Sequence, residues 1–344
     1  MNGYNFFNSA FRILKEVYMK SRIFTILKAL IFIAVVVWVV WELNKSWNKI
    51  SQVKWQADYY WLLFSAIFYF LAYIPTSMFW RYSMQSLGQR PGVYESLRAY
   101  YIGHLGKYVP GKAVVVVLRS GLLNHDRTRT SVAAAAVFLE TLTMMASGAF
   151  LSALIVVVWF REMENGLWLI LLAIGMAICA GLPILPPVFR KMAKKVGVGR
   201  NDPDIDQKLR GLSFKTLLIG WGLTILTWLF LGLSLWSAVK GVRIDIANGA
   251  IIEMESLFAN GCELMARFTL AASFSVVLGF VLMMPGGIGV RDFVLAQVLT
   301  IYFAGKLDND MSLATSYAIV VAGVQRLVSI LVELLAAAVM FKKL

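Results

Sequence analysis

The chain has 344 residues, of which 59% are hydrophobic and only 15% are charged, and its mean hydropathy is +0.71. A soluble domain of this length cannot bury so much apolar surface, so the composition excludes a soluble globular protein and indicates a polytopic membrane protein. The net charge of +14 can indicate nucleic-acid binding. Because the cations fall between apolar runs, as membrane topology requires, we expect no nucleic-acid partner.

Apolar runs long enough to cross a bilayer predict an all-α fold of about eight transmembrane helices. They lie near residues 24–43, 59–80, 131–160, 167–189, 216–239, 264–284 and 312–341, with a shorter run near 293–304. We expect one transmembrane domain over residues 1–344, with one or two re-entrant or broken-helix segments.

Most lysines and arginines would share one face of such a membrane domain. They lie in the basic arm 1–23, the connections near 81–130 and 190–215, Arg291, and the tail Lys342-Lys343. By the positive-inside rule, these segments and both termini face the cytoplasm, and 190–215 is a cytoplasmic loop.

Two segments combine helix breakers with cations and adjoin long apolar runs: Gly106-Lys107-Tyr108-Val109-Pro110-Gly111-Lys112 and Pro285-Gly286-Gly287-Ile288-Gly289-Val290-Arg291-Asp292. Proline and glycine free backbone groups that lipid cannot satisfy, so such backbone persists at membrane depth only inside protein or along a wet cavity. A tight turn between two helices is the alternative for either segment alone. The two together favour a polar site for an anionic group.

Several charges fall inside apolar runs, where a charge at a helix centre costs about 3 kcal/mol on insertion scales. Glu140 follows an alanine-rich run, Arg267 lies near the start of the sixth span, and Arg326 and Glu333 lie two turns apart in the last span. Two interpretations of these charges remain open. In the first, Glu140 pairs with Arg326 or Arg267 and fixes the packing of the helices. In the second, one of the arginines, above all Arg119 or Arg326, binds a phosphate.

Motifs of known chemistries are absent from the sequence. It contains no Walker, HExxH or GxSxG motif, and its two histidines, His104 and His125, have no second ligand at useful spacing. We therefore expect no metal, no cofactor, no catalytic residue and no enzymatic activity.

At these motifs the chain resembles the flippase-like family related to the N-terminal transmembrane domain of lysylphosphatidylglycerol synthetases. The matching residues are the first segment with the following Arg119, the second segment, and Gln325-Arg326-Leu327. The resemblance extends from about residue 20 to the end. Two positions depart from the family pattern, because Thr141 follows Glu140 where the family commonly has Arg, and Asp292 stands where it commonly has Glu.

The resemblance implies a stand-alone translocase, since no aminoacyl-transferase domain follows the last span. Its substrate would be an anionic or phosphate-bearing lipid, such as an aminoacylated phospholipid or a polyprenyl-phosphate-linked sugar, moved between leaflets through a cytoplasm-facing cationic cavity. The expected location is a bacterial or archaeal cytoplasmic membrane. The expected substrate-binding residues are Lys107, Tyr108, Pro110, Gly111, Lys112, Arg119, Pro285, Gly286, Gly287, Gly289, Arg291 and Asp292. The expected charge network comprises Glu140, Arg267, Arg326 and Glu333.

Two other functions remain open at this point. The chain would be a lipid-headgroup-modifying enzyme if it supplied a general base, or a non-catalytic partner of a separate glycosyltransferase or synthetase if it only presented the lipid. A homo-oligomer is compatible with all three.

Overall fold

The computed structural model describes residues 54–108, 113–123, 128–159, 181–196, 207, 209–245, 257–282, 289–307 and 309–341, with isolated positions between 171 and 178. Within these ranges the chain forms nine α-helices and one two-stranded sheet. The elements are β1 (Lys54–Ala57), α1 (Tyr59–Ser86), α2 (Val93–His104), α3 (Ala113–Gly121), α4 (Thr130–Trp159), α5 (Pro186–Val196), α6 (Phe214–Gly241), β2 (Val242–Asp245), α7 (Leu257–Val281), α8 (Val290–Ala304) and α9 (Met311–Phe341).

Five helices in the described ranges are long and apolar enough to cross a bilayer, namely α1, α4, α6, α7 and α9. They coincide with five of the predicted spans and confirm the all-α membrane fold. The predicted span 24–43 lies outside the described residues, as does much of the first half of 167–189. Helix α8 occupies the position of the short eighth run, but its 15 residues extend only about 22 Å, less than the ~30 Å hydrocarbon core.

Helix α5 overlaps the start of the predicted cytoplasmic loop 190–215. The structure continues α5 to Val196, so the first residues of the predicted loop 190–215 are helical. Within this helix, the side chain of Phe189 is buried and that of Lys191 is exposed. The helix is therefore amphipathic, and residues 197–206 lie outside the described part of the chain.

The strands β1 and β2 form an antiparallel ribbon that the hydrophobic pattern did not predict. Lys54 pairs with Asp245 and Ala57 with Val242. Next to the ribbon, Asp58 caps α1 by accepting from the backbone N–H of Tyr60 at 3.1 Å. We call this end of the helices the ribbon face and the other end the motif face.

Helices α1 and α6 lie antiparallel, because the start of α1 meets the end of α6 at the ribbon face. The backbone N–H of Asp58 donates to the carbonyl of Gly241 at 2.9 Å. Helix α9 also begins there, since the hydroxyl of Tyr317 donates to the carbonyl of Val242 at 2.5 Å. It follows that α9 ends at the motif face, where α4 begins beside Trp80 of α1.

A closed ring of hydrogen bonds joins α1, α6 and α9 inside the bundle. The hydroxyl of Ser65 donates to Oε1 of Gln325 at 3.1 Å, Nε2 of Gln325 donates to Ser234 Oγ at 3.0 Å, and Ser234 donates to the Ser65 carbonyl at 2.9 Å. All three side chains are buried. Each donor has an acceptor, as buried polar groups require where no water is available.

The first three residues of the first segment, Gly106–Tyr108, lie in a helical hairpin formed by α2, a 3-10 helix over Leu105–Tyr108, and α3. Two glycines let the arms approach closely. A Cβ on Gly103 would lie 2.4 Å from Cγ of Arg119, and one on Gly106 would lie 2.9 Å from the backbone nitrogen of Val115. This hairpin packs against α1, α4 and α9, and it carries Lys107 and Arg119.

Candidate functional site

One ion pair joins the hairpin to α4. Nη1 of Arg119 lies 2.7 Å from Oε2 of Glu140, and the hydroxyl of Tyr100 donates to Oε1 of the same carboxylate at 2.9 Å. The guanidinium also lies over the Tyr100 ring, with its carbon 3.7 Å from the ring centroid. Arg119 and Glu140 are only 3% and 2% exposed, so each neutralises a charge that would otherwise be buried alone.

A second ion pair joins the hairpin to α9. Nζ of Lys107 lies 2.5 Å from Oε1 of Glu333, which also accepts from the hydroxyl of Tyr69 at 2.5 Å. The other oxygen of Glu333 accepts from the hydroxyl of Tyr108 at 2.8 Å. This carboxylate, buried at 3% exposure, thus receives three donors from two different elements.

His104 lies between these two ion pairs. Its Nδ1 lies 3.4 Å from Nη2 of Arg119, and its Nε2 lies 2.9 Å from Nζ of Lys107 and 3.7 Å from Oε1 of Glu333. A neutral imidazole accepts through one nitrogen only, so it can accept from one of the two cations at a time. The Tyr73 ring contacts the imidazole with centroids 4.4 Å apart.

Two more arginines lie near these groups, one interacting with Glu333 and the other with Tyr108. Arg291, in the first turn of α8, interacts electrostatically with Glu333 and Tyr69. Its Nε is buried and has no hydrogen-bond partner within the described ranges. Arg326, two turns before Glu333, places its guanidinium carbon 5.6 Å from the centroid of the Tyr108 ring.

The charges of this assembly do not cancel. Two carboxylates, Glu140 and Glu333, face four cations, and Asp292 adds one further negative charge at the start of α8. The cations are Lys107, Arg119, Arg291 and Arg326. We call these groups, together with Tyr69, Tyr73, Tyr100, His104 and Tyr108, the charge cluster. The cluster carries net positive charge, which favours binding of an anion.

Two groups of the hairpin have ionisation equilibria altered by their surroundings. Burial lowers the pKa of Lys107 to about 8, and the attraction of Glu333 opposes this effect. Burial, and then the nearby charge of Lys107, hold the pKa of His104 well below its ordinary value, so the imidazole is neutral at pH 7. Protonation of Lys107 therefore changes within a range that experiments reach easily.

The structure brings together many of the predicted site residues from distant parts of the sequence. The hairpin contributes Lys107, Tyr108 and Arg119, while Glu140, Arg291, Arg326 and Glu333 come from α4, α8 and α9. The ion pair of Glu140 is with Arg119 rather than with Arg326 or Arg267. Arg267 lies apart from the cluster, where it pairs with Glu263 at 2.6 Å and contacts Tyr302.

The second segment contributes a helix start to the site. Gly289 has φ +83°, which a residue with a side chain rarely adopts, and its N–H lies 3.4 Å from Oδ2 of Asp292. Asp292 therefore caps α8 and orients the turn that carries Arg291. The remaining predicted residues lie outside the described part of the chain: Pro110, Gly111, Lys112, Pro285, Gly286 and Gly287.

Sequence reasoning predicted Tyr108 but missed the other three tyrosines of the cluster, Tyr69, Tyr73 and Tyr100. Tyr69 and Tyr73 lie four residues apart in the middle of α1, and their hydroxyls are 3.0 Å apart. The guanidinium of Arg119 lies over the Tyr100 ring, and the imidazole of His104 lies nearly parallel to that ring with centroids 6.1 Å apart. Tyrosines in the middle of a span, away from the membrane interface, were the available signal, because a buried hydroxyl there requires a polar partner.

The long apolar helices and the buried charges between them define a multi-pass α-helical integral membrane protein. The chain belongs to the family described as "Lysylphosphatidylglycerol synthase TM region", whose model matches residues 25–337. This match confirms the resemblance stated from the sequence motifs. Comparison with curated proteins and with solved structures gave no significant match.

Proposed function

We propose that the protein is a translocase that moves an anionic or phosphate-bearing lipid between the leaflets of a membrane. The observation that carries this proposal is the charge cluster, which holds an excess of cations among membrane-spanning helices. Charged side chains are expensive at this depth and are retained where they line a substrate path. The lipid phosphate would be neutralised there while its tails stay in the bilayer.

The hairpin formed by α2 and α3 would be the part that changes position. Its contacts to α4 and α9 include ion pairs, Arg119 with Glu140 and Lys107 with Glu333. An ion pair can exchange one anion for another, so an incoming phosphate can replace a carboxylate without leaving a cation unpaired. This exchange supports transport with a change of hairpin position at each turnover.

The positive-inside rule assigns the motif face to the cytoplasm in this proposal. The charge cluster would then receive its lipid from the cytoplasmic leaflet of a bacterial or archaeal cytoplasmic membrane. An aminoacylated phospholipid and a polyprenyl-phosphate-linked sugar both carry the required phosphate. Headgroup chemistry is less well supported, because Glu140 and Glu333 are both engaged by cations and neither is placed as a free general base.

Transport is tested in liposomes that contain the purified protein and a fluorescent phosphatidylglycerol labelled on its acyl chain. A membrane-impermeant reductant bleaches the outer leaflet, and lipid movement increases the bleached fraction above that of protein-free vesicles. We expect movement by the wild type and a loss of about tenfold in rate for Lys107→Gln and Arg291→Gln.

Arg243→Gln is the matched control for these two variants. Its ion pair with Asp58 lies at the ribbon face and is half exposed, so its removal changes a charge without touching the cluster. Wild-type vesicles that behave as protein-free vesicles would contradict the proposal. They would favour the role of a non-catalytic partner subunit, which capture of a stoichiometric glycosyltransferase or synthetase would then test.

A further inference from the structure

The carboxylate of Glu333 receives the set of donors that a phosphate group would require. An ammonium and two hydroxyls, from Lys107, Tyr69 and Tyr108, converge on its two oxygens at 2.5–2.8 Å. Charge-assisted hydrogen bonds of this kind bind carboxylate and phosphate oxygens alike. These donors come from α1 and the 3-10 helix, so the position is built by the fold rather than by one flexible side chain.

The same position is the most cationic part of the cluster. Arg291 interacts with Glu333 from α8, and Arg326 lies over the Tyr108 ring from α9 itself. His104 approaches from the end of α2. A second anion brought to these donors would be repelled by Glu333 and would compete for the same hydrogen bonds.

We propose that Glu333 is a built-in competitor of the lipid phosphate: its carboxylate occupies the anion-binding position, and phosphate binds there when the carboxylate is displaced. This inference rests on the proposed function in taking the anion to be a lipid phosphate. The chemistry it requires is that of a phosphate oxygen, which a lipid headgroup and inorganic phosphate share.

Glu140 is the natural comparison, because it also forms a buried ion pair with the hairpin. Its partner Arg119 is stacked on Tyr100 and is only 3% exposed. The side chain of Lys107, in contrast, is 19% exposed, and that of His104 is 16% exposed. The cation and the imidazole beside Glu333 are therefore partly accessible, whereas both members of the Glu140 pair are enclosed by protein.

Displacement of Glu333 would leave its charge close to other cations. Arg291 already interacts with it, and the buried Nε of Arg291 has no hydrogen-bond partner among the residues that the structure describes. In this proposal, the displaced carboxylate exchanges Lys107 for Arg291. The phosphate then takes over the vacated donors, and no charge is left without a partner.

The test is a binding measurement on the purified full chain in neutral detergent at pH 7. Isothermal titration calorimetry with dihexanoyl phosphatidylglycerol compares the wild type with Glu333→Gln, which is isosteric but uncharged. We expect binding about tenfold tighter in the variant, since the competing charge is gone while Tyr69, Lys107 and Tyr108 remain. Equal or weaker binding in folded Glu333→Gln would overturn the proposal.

Glu140→Gln is the matched control, because it removes an equally buried carboxylate that also forms an ion pair with the hairpin. Binding that tightens equally in Glu140→Gln would reduce the effect to net charge and overturn a specific role of Glu333. If Glu333→Gln does not fold, Glu333→Asp replaces it: its shorter carboxylate competes less well, and we expect binding tighter than the wild type by several-fold. Unchanged or weaker binding in this variant would also contradict the proposal.

Two further ligands, inorganic phosphate and dihexanoyl glycerol, distinguish a site for a lipid headgroup from a site for free phosphate. Inorganic phosphate that shows the same tightening in Glu333→Gln identifies the site as specific for phosphate itself. Tightening with the phospholipid alone identifies the lipid headgroup, and dihexanoyl glycerol, which has no phosphate, should show none. Tightening by Glu333→Gln together with an absence of transport by the wild type would contradict the proposed function and leave the competitor role intact.

Discussion

Arg119 and Glu140 form a buried ion pair across two helices, with Nη1 and Oε2 at 2.7 Å. Removing one member leaves the other charge buried without a partner, so Arg119→Ala should lower the free energy of unfolding by about 3–5 kcal/mol. Replacing both by Arg119→Leu and Glu140→Leu should be far less destabilising, because no charge remains buried. Thermal unfolding of the detergent-solubilised protein, followed by size-exclusion chromatography, measures both.

The double variant also separates stability from transport. We expect it to fold but to move lipid slowly, since the ion pair is part of the proposed exchange of partners. A double variant with wild-type transport would show that the pair only holds α3 against α4. Arg119→Lys should not restore the wild type, because lysine lacks the planar group that stacks on Tyr100.

Gly103 is required by the close approach of the two arms of the hairpin. A Cβ at this position would lie 2.4 Å from Cγ of Arg119 and 3.1 Å from its backbone nitrogen. Gly103→Ala should therefore cost about 1–3 kcal/mol and displace the guanidinium from Glu140. Gly261→Ala in α7, where a new Cβ meets nothing within 4 Å, is the control and should not destabilise. Equal melting temperatures for the two variants would contradict this account.

Protonation of Lys107 should control anion binding. Burial lowers its pKa to about 8, and only the protonated ammonium attracts a phosphate. The affinity for dihexanoyl phosphatidylglycerol, which stays a monoanion over this range, should fall as the pH rises through about 8. Lys107→Arg keeps its charge at all these pH values and should remove the dependence. A decline of the same size in Lys107→Arg would assign the titration to another group.

The ring of Ser65, Ser234 and Gln325 should contribute to stability but not to anion binding. Gln325→Leu removes the hydrogen bond that Ser65 donates to Gln325 and the one that Gln325 donates to Ser234, at a cost of about 1–3 kcal/mol. Adding Ser65→Ala and Ser234→Ala should recover part of this loss, because the two hydroxyls that have lost hydrogen bonds to Gln325 are then removed as well. Melting temperatures of the single and triple variants, together with unchanged binding of the short-chain lipid, check the prediction.

The helical framework was predictable from sequence because lipid imposes a simple rule on it. Runs such as 216–239 and 312–341 must be helical and long, so hydropathy alone located α6 and α9. The sequence also indicated that Glu140 and Glu333 need partners. It could not supply those partners, because Lys107 and Glu333 are separated by 226 positions and meet only after the hairpin packs on α9.

Other features could not be predicted from the sequence, for reasons that differ from one feature to the next. The ribbon of β1 and β2 has four residues on each strand, which is too short for a hydrophobic period to be recognised. The role of Asp292 as a helix cap depends on the backbone angle of Gly289 rather than on charge. Tyr69 resembles any aromatic residue in an apolar run until its hydroxyl is found on Glu333.

The ribbon has a mechanical consequence for any movement of the bundle. At the ribbon face, a ladder of backbone hydrogen bonds ties the start of α1 to the end of α6, and its geometry is fixed by the pairing of the two strands. At the motif face, side-chain ion pairs can change partners at little cost. The two ends therefore differ in compliance, and we expect the helices to spread at the motif face about a fulcrum at the ribbon.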